Sequence, residues 1–123
     1  MLEPLGQKGI KLNKKQPKTY ESIDIAMKEQ NVPNDILNLY KEKPSIIIKP
    51  SKGKVIDFET YGDTRVGSPS FKKFKRLLEG TSFFPEGEGE EQDNAIKALL
   101  DEMKASRSLV KTAIKNFNKS KKN

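Results

Sequence analysis

The chain contains no cysteine, no histidine and no tryptophan. Without cysteine there is no disulfide, no thiol nucleophile and no thiolate metal site. Without histidine the commonest general base near neutral pH and the commonest metal ligand are both missing. Carboxylates, lysine, tyrosine, serine and threonine are what remain for chemistry. Apolar residues are also scarce, at 33% of 123 residues, so a single small domain is expected, with a thin core. No apolar run approaches the roughly 18 residues of a membrane span. The first 15 residues, "MLEPLGQKGIKLNKK", hold no apolar stretch of signal-peptide length. The sequence therefore reads as that of an intracellular, soluble protein, or one inside a particle, and not a secreted one.

Positive charge is abundant and uneven. The net charge is +7. Residues 1–18 carry five lysines against one acid, and residues 94–123 carry eight basic residues against two acids. Residues 81–93 carry five acids and no base. Clustered basic residues fit a phosphate-rich partner; they also fit a solvated surface.

Residues 1–18 lack apolar periodicity and read as an extended basic arm. Two short helices follow. "TYESIDIAMKEQN" offers Thr19 as N-cap, an apolar face of Ile23, Ala26 and Met27, and a stop at Asn31. "VPNDILNLYKEKP" restarts at Pro33, places Ile36, Leu37 and Tyr40 on one face, and ends before Pro44. The pair has the outline of a helix-turn-helix. Its second helix nevertheless starts with acid and amide groups where a recognition helix meets base edges, so core packing is the expectation.

"SIIIKPSKGKVIDFETYG" predicts a β-hairpin near 45–60, with strands near 45–49 and 54–60 around turn formers 50–53. Its first strand, with Ile46, Ile47 and Ile48, is an adhesive edge unless covered. "SPSFKKFKRLLEG" predicts a helix capped by Ser68, started by Pro69 and closed by Gly80. Phe71, Phe74, Leu77 and Leu78 form its apolar face, and Lys72, Lys73, Lys75 and Arg76 the remainder. Residues 81–93 read as an acidic loop, with Phe83 and Phe84 turned into the core and the acids able to pair with the basic helix. From Asn94 to about Asn118 there is no glycine or proline, which predicts a helix of roughly 37 Å. Ile96, Leu100, Met103, Val110, Ile114 and Phe117 alternate four and three apart, with Arg107 in the gap. Leu99, Ser106 and Ala113 widen that stripe beyond a coiled-coil seam, so a core helix is expected.

Three motifs bear on catalysis. "VIDFETYG" resembles the first motif of the DEDD-type 3′–5′ exonucleases, Asp-x-Glu-Thr-x-Gly. The resemblance implies two carboxylates, Asp57 and Glu59, on one strand face and holding a pair of divalent metals. It covers eight residues. The family's last motif, a His or Tyr followed by Asp, has no counterpart after Tyr61, and a solvent-facing pair of acids is expected instead. "KPSKGK" lacks the first glycine of a phosphate loop and is followed by a strand. "EGEGEEQD" lacks the ligand spacing of a calcium loop.

The sequence thus predicts a mainly α fold. It has two short N-terminal helices, one β-hairpin, one short basic helix, one long C-terminal helix and extended basic arms. Residues 19–118 make a single domain, with a basic tail at 119–123. No catalytic residue, metal site or cofactor is assigned. The expected role is a structural or accessory subunit of a nucleic-acid-containing assembly, such as a virion or another nucleoprotein particle. Lys72, Lys73, Lys75, Arg76, Lys104, Lys111 and Lys115 would contact phosphate backbone without reading sequence. Ile46, Ile47, Ile48, Val110, Ile114 and Phe117 would meet other protein subunits. Neither a membrane nor a small-molecule substrate is expected. A stand-alone DNA- or RNA-binding regulator is the alternative, and a metal-dependent nuclease a third.

Overall fold

The segment that leads into the first helix meets a residue 100 positions away. The Tyr20 amide donates to Ser120 Oγ at 3.4 Å, and Tyr20 is buried. The chain bends at Glu21 and Ser22, and Ser22 itself has extended dihedrals, φ −150° and ψ 160°. Helix α1 therefore begins at Ile23, not after Thr19, and spans Ile23–Glu29. This is a computed structural model, and it describes residues 19–51 and 54–121. The expected arm, the tip of the hairpin and the last two residues lie outside that range.

Asn31 ends α1 as expected, and the reason is visible. Its φ is +61°, in the left-handed region where asparagine is the commonest residue after glycine. The Asn31 amide donates to the Lys28 carbonyl at 3.0 Å and the Val32 amide to the Met27 carbonyl at 3.1 Å. This is the paired Schellman closure, which satisfies carbonyls the helix leaves open. Helix α2, Asn34–Glu42, follows Pro33 and buries Ile36, Leu37 and Leu39. Pro44 then opens a 3-10 turn, Pro44–Ile46.

That turn takes residues expected in the first strand. Ile46 and Ile47 are fully enclosed, and strand β1, Ile48–Ser51, starts only at the third isoleucine. It pairs antiparallel with β2, Lys54–Phe58, in the register Ile48 opposite Phe58 and Lys49 opposite Asp57. The register shifts between Lys49 and Ser51, around Pro50, which has no N–H to give to the ladder.

Helix α3, Pro69–Leu78, is built as the sequence reads. Ser68 Oγ accepts from the Phe71 amide at 3.1 Å and donates to the Asp63 carbonyl at 2.7 Å. Phe71, Phe74 and Leu78 are buried. Gly80, at φ +88°, turns the chain out of the helix. Phe83 and Phe84 pack half-buried against the core. The loop is tied to α2 by Ser82, whose amide and hydroxyl each donate to Glu42 at 2.7 Å.

The acidic stretch is shorter as a loop than expected. Helix α4, Gly89–Ala105, absorbs its second half and places Glu90 and Glu91 in its first turn, where the helix dipole favours negative charge. The long helix is also divided. Ser106 closes α4, and its carbonyl accepts from the Leu109 and Val110 amides at 3.0 and 3.1 Å to open α5, Arg107–Lys121. Ser106 is buried, with its hydroxyl donating to the Met103 carbonyl at 3.2 Å. The six residues of the apolar stripe are all buried. Residues 119–121 of the expected tail are helical. Helix α5 lies against α1 and β2, where Asn118 Nδ2 donates to the Ile56 carbonyl at 3.1 Å. Helix α3 packs against α4 and the 3-10 turn. The whole is mainly α, with one two-stranded hairpin among the described residues.

One contact in this frame works against stability. Partial burial, and then the charge of Asp35 on α2, raise the Glu102 carboxyl above its ordinary value. A raised carboxyl binds its proton more readily in the folded state, so its charge costs stability above that range and the cost disappears as pH falls through it. Glu102→Gln is therefore expected to raise Tm at pH 7. The gain should vanish as pH falls into the carboxylate range. A lower Tm at pH 7 would show that the Glu102 charge is favourable.

Candidate nucleic-acid interface

The basic residues divide by whether the fold has already spent them. On α3, two of the four are engaged. Lys73 Nζ donates to Glu59 and lies 5.7 Å from the centre of the Tyr61 ring. Lys75 Nζ donates to Asp93 Oδ1 at 3.1 Å, the pairing expected between basic helix and acidic stretch. Lys72 and Arg76 are exposed and have no ion-pair partner among the described residues. On α4, Lys97 pairs with Asp101 at 2.9 Å, and Lys104 donates to the Gly62 carbonyl at 2.7 Å while remaining exposed.

Helix α5 is different. Arg107, Lys111, Lys115 and Lys119 are all exposed, and none has an ion-pair partner among the described residues. Its sequence, "RSLVKTAIKNFNKSK", holds no acid. Steps of four residues climb about 6 Å and turn about 40° beyond a full circle, so the four cations sweep about 120° of the helix surface. Exposed Ser108 and Thr112 and half-exposed Asn116 share that side. The opposite side, Val110, Ala113, Ile114, Phe117 and Ser120, is buried. The outward face is thus made of ammonium and guanidinium groups, hydroxyls and an amide. Every one can donate a hydrogen bond to a phosphate oxygen, and the helix itself holds no carboxylate to compete.

The sequence reading includes Lys111 and Lys115 and omits Arg107, Lys119, Ser108, Thr112 and Asn116. Arg107 stands there as a gap in the apolar stripe, and Lys119 falls in the basic tail. The four-residue spacing from Arg107 to Lys119, with no acid after Glu102, is the signal for the whole face.

The residues assigned to protein contacts are placed otherwise. Ile46, Ile47, Val110, Ile114 and Phe117 are buried in this chain's own interior, and Ile48 is half-buried against it. The five buried ones serve as core, through the turn after Pro44 and the docking of α5, and offer no surface to a partner.

The exonuclease-like motif is also spent on structure. Glu59 is not solvent-facing; its side chain is 8% exposed. Lys49 Nζ stands 3.5 Å from Glu59 Oε1, and Lys73 engages Oε2. Asp57 Oδ1 accepts from the Phe58 amide at 2.9 Å. Among the described residues no group of three or more acids is arranged to hold a metal ion. Tyr61, next to Glu59 in the chain's path, donates its hydroxyl to the Ile46 carbonyl at 3.0 Å and meets the Phe74 ring edge-on at 5.6 Å. Burial, and then the charge of Glu59, push its phenol well above its usual range.

Among the described residues no helix is long and apolar enough to cross a membrane. No protein family, characterised protein or solved structure matches this chain.

The Glu59 cluster gives a direct prediction. Glu59→Ala removes the carboxylate that joins β1, α3 and Tyr61. Both lysines are about half exposed, so the loss falls below that of a fully buried pair: about 1–3 kcal/mol in urea unfolding. Lys49→Gln should cost less than Lys73→Gln, because the Lys49 contact is the longer one. Equal stability of Glu59→Ala and the parent would show that the cluster contributes nothing.

Proposed function

We propose that this protein is a non-catalytic accessory or structural subunit of a nucleic-acid-containing assembly, holding phosphate backbone without reading sequence. The observation that carries the reading is the donor-only outer face of α5. Four exposed cations on a helix that holds no acid, with no ion-pair partner among the described residues, carry displaceable counterions, whose release supplies the free energy of phosphate binding. The hydroxyls of Ser108 and Thr112 add contacts that fix position and carry no sequence information. Lys72 and Arg76, one turn apart on α3, and the exposed Lys104 provide secondary contacts; Lys73 and Lys75 are withdrawn by Glu59 and Asp93. The lysines of residues 1–18 add charge of the same sign.

The reading is tested by fluorescence anisotropy on a labelled random-sequence duplex across a salt series. Binding should weaken steeply as salt rises. With Arg107, Lys111, Lys115 and Lys119 all changed to Gln, the slope of log affinity against log salt should flatten by about 3–4, as about four phosphate contacts are lost. Lys72→Gln with Arg76→Gln should flatten it by less. Circular dichroism of each variant confirms retained helix. Absence of binding at low salt, or an unchanged slope in the four-site variant, would overturn the proposal.

A further inference from the structure

We infer that the ligand of the α5 face is double-stranded nucleic acid, DNA or RNA, gripped by its phosphates alone and with its bases untouched. This rests on the reading of α5 as a phosphate-binding face and goes further in naming the form of the ligand.

Single strands present unstacked bases, and proteins that hold them lay those bases on exposed aromatic rings between cationic residues. This chain has nine aromatic residues, three Tyr and six Phe. All nine lie among the described residues, and none is exposed. Tyr20, Phe58, Tyr61, Phe71, Phe74 and Phe117 are buried, and Tyr40, Phe83 and Phe84 are half-buried against the core. Among the described residues the large apolar side chains that reach the surface are Ile25 and Val66, neither of which stacks on a base. Phe71 and Phe74, interleaved with lysines in "FKKFKR", have the sequence look of a stacking platform, yet both rings face inward. On the outward face of α5 the planar cation is the Arg107 guanidinium.

The geometry of α5 agrees with backbone contact. Contacts to phosphate and sugar fix position on a duplex without reaching base edges, and cations and hydroxyls make them. Half the circumference of α5 is seated on α1 and β2. The outer arc is the exposed one, and its cations and hydroxyls suit a wall of phosphates. A duplex offers that wall with its bases stacked away and the higher charge density.

The test uses the full chain and four labelled ligands of equal phosphate number: a duplex, a natural single strand of mixed sequence, the same strand with every base removed, and a duplex RNA. Both duplexes should bind at least about threefold tighter than the single strand at matched salt. The natural and abasic strands should bind alike, within about twofold. Arg107→Lys, which keeps the charge and removes the plane, should leave that ratio unchanged. A natural strand that binds several-fold tighter than its abasic form, or as tightly as the duplexes, overturns the inference and leaves phosphate binding standing. A loss confined to the natural strand in Arg107→Lys shows guanidinium stacking and overturns it too. Failure of all four ligands to bind at low salt overturns both this inference and the reading beneath it.

Discussion

The seating of α5 on α1 and β2 is the constraint on which the rest depends. Val110, Ala113, Ile114 and Phe117 bury one half of that helix. The Asn118 amide then locks it to the hairpin and the Ser120 hydroxyl to the chain entering α1. A two-stranded hairpin is marginal alone, and so is a seven-residue helix. Both gain a hydrophobic partner from one helix near the end of the chain. The same packing fixes what faces outward. Once the apolar half is committed, residues 107, 111, 115 and 119 have nowhere to go but solvent, and the cation row is a by-product of the core.

The opposite arrangement holds on α3. Its basic residues look denser in sequence, but the fold draws two of them inward. Glu59 leaves the hairpin beneath Lys73, and Asp93 comes up beside Lys75 in the first turns of α4. A charge paired in this way offers less to a phosphate, because it must give up one anion to take another. Local density of lysine in a sequence is therefore a poor measure of available charge. The position of acids brought near by the fold decides it.

Much of the architecture was legible in the residues themselves. Ser68, Pro69 and Gly80 bracket α3 by capping and turn chemistry that is local, so the sequence alone suffices. Asn31 ends α1 for the same reason. What was not legible depends on contacts between distant positions. Helix α1 starts only after Ser22, and the Tyr20 amide before it donates to Ser120 near the far end of the chain. Ile46 and Ile47 are missing from the first strand because the chain is still in the turn opened by Pro44, where both are buried and the Tyr61 hydroxyl donates to the Ile46 carbonyl. The break at Ser106 leaves no glycine or proline to mark it. Of the candidate interface, Lys72, Arg76, Lys111 and Lys115 were found from charge alone. Arg107 and Lys119 were hidden by apolar patterning, and the withdrawal of Lys73 and Lys75 required the partners to be in place.

The most direct measurement is amide chemical-shift mapping of the full chain during titration with a short duplex at low salt. The account places the largest changes on Arg107, Ser108, Lys111, Thr112, Lys115, Asn116 and Lys119, along one side of α5, with smaller ones at Lys72 and Arg76. Changes centred on the hairpin around Glu59 or on the start of α2, with α5 silent, would contradict it.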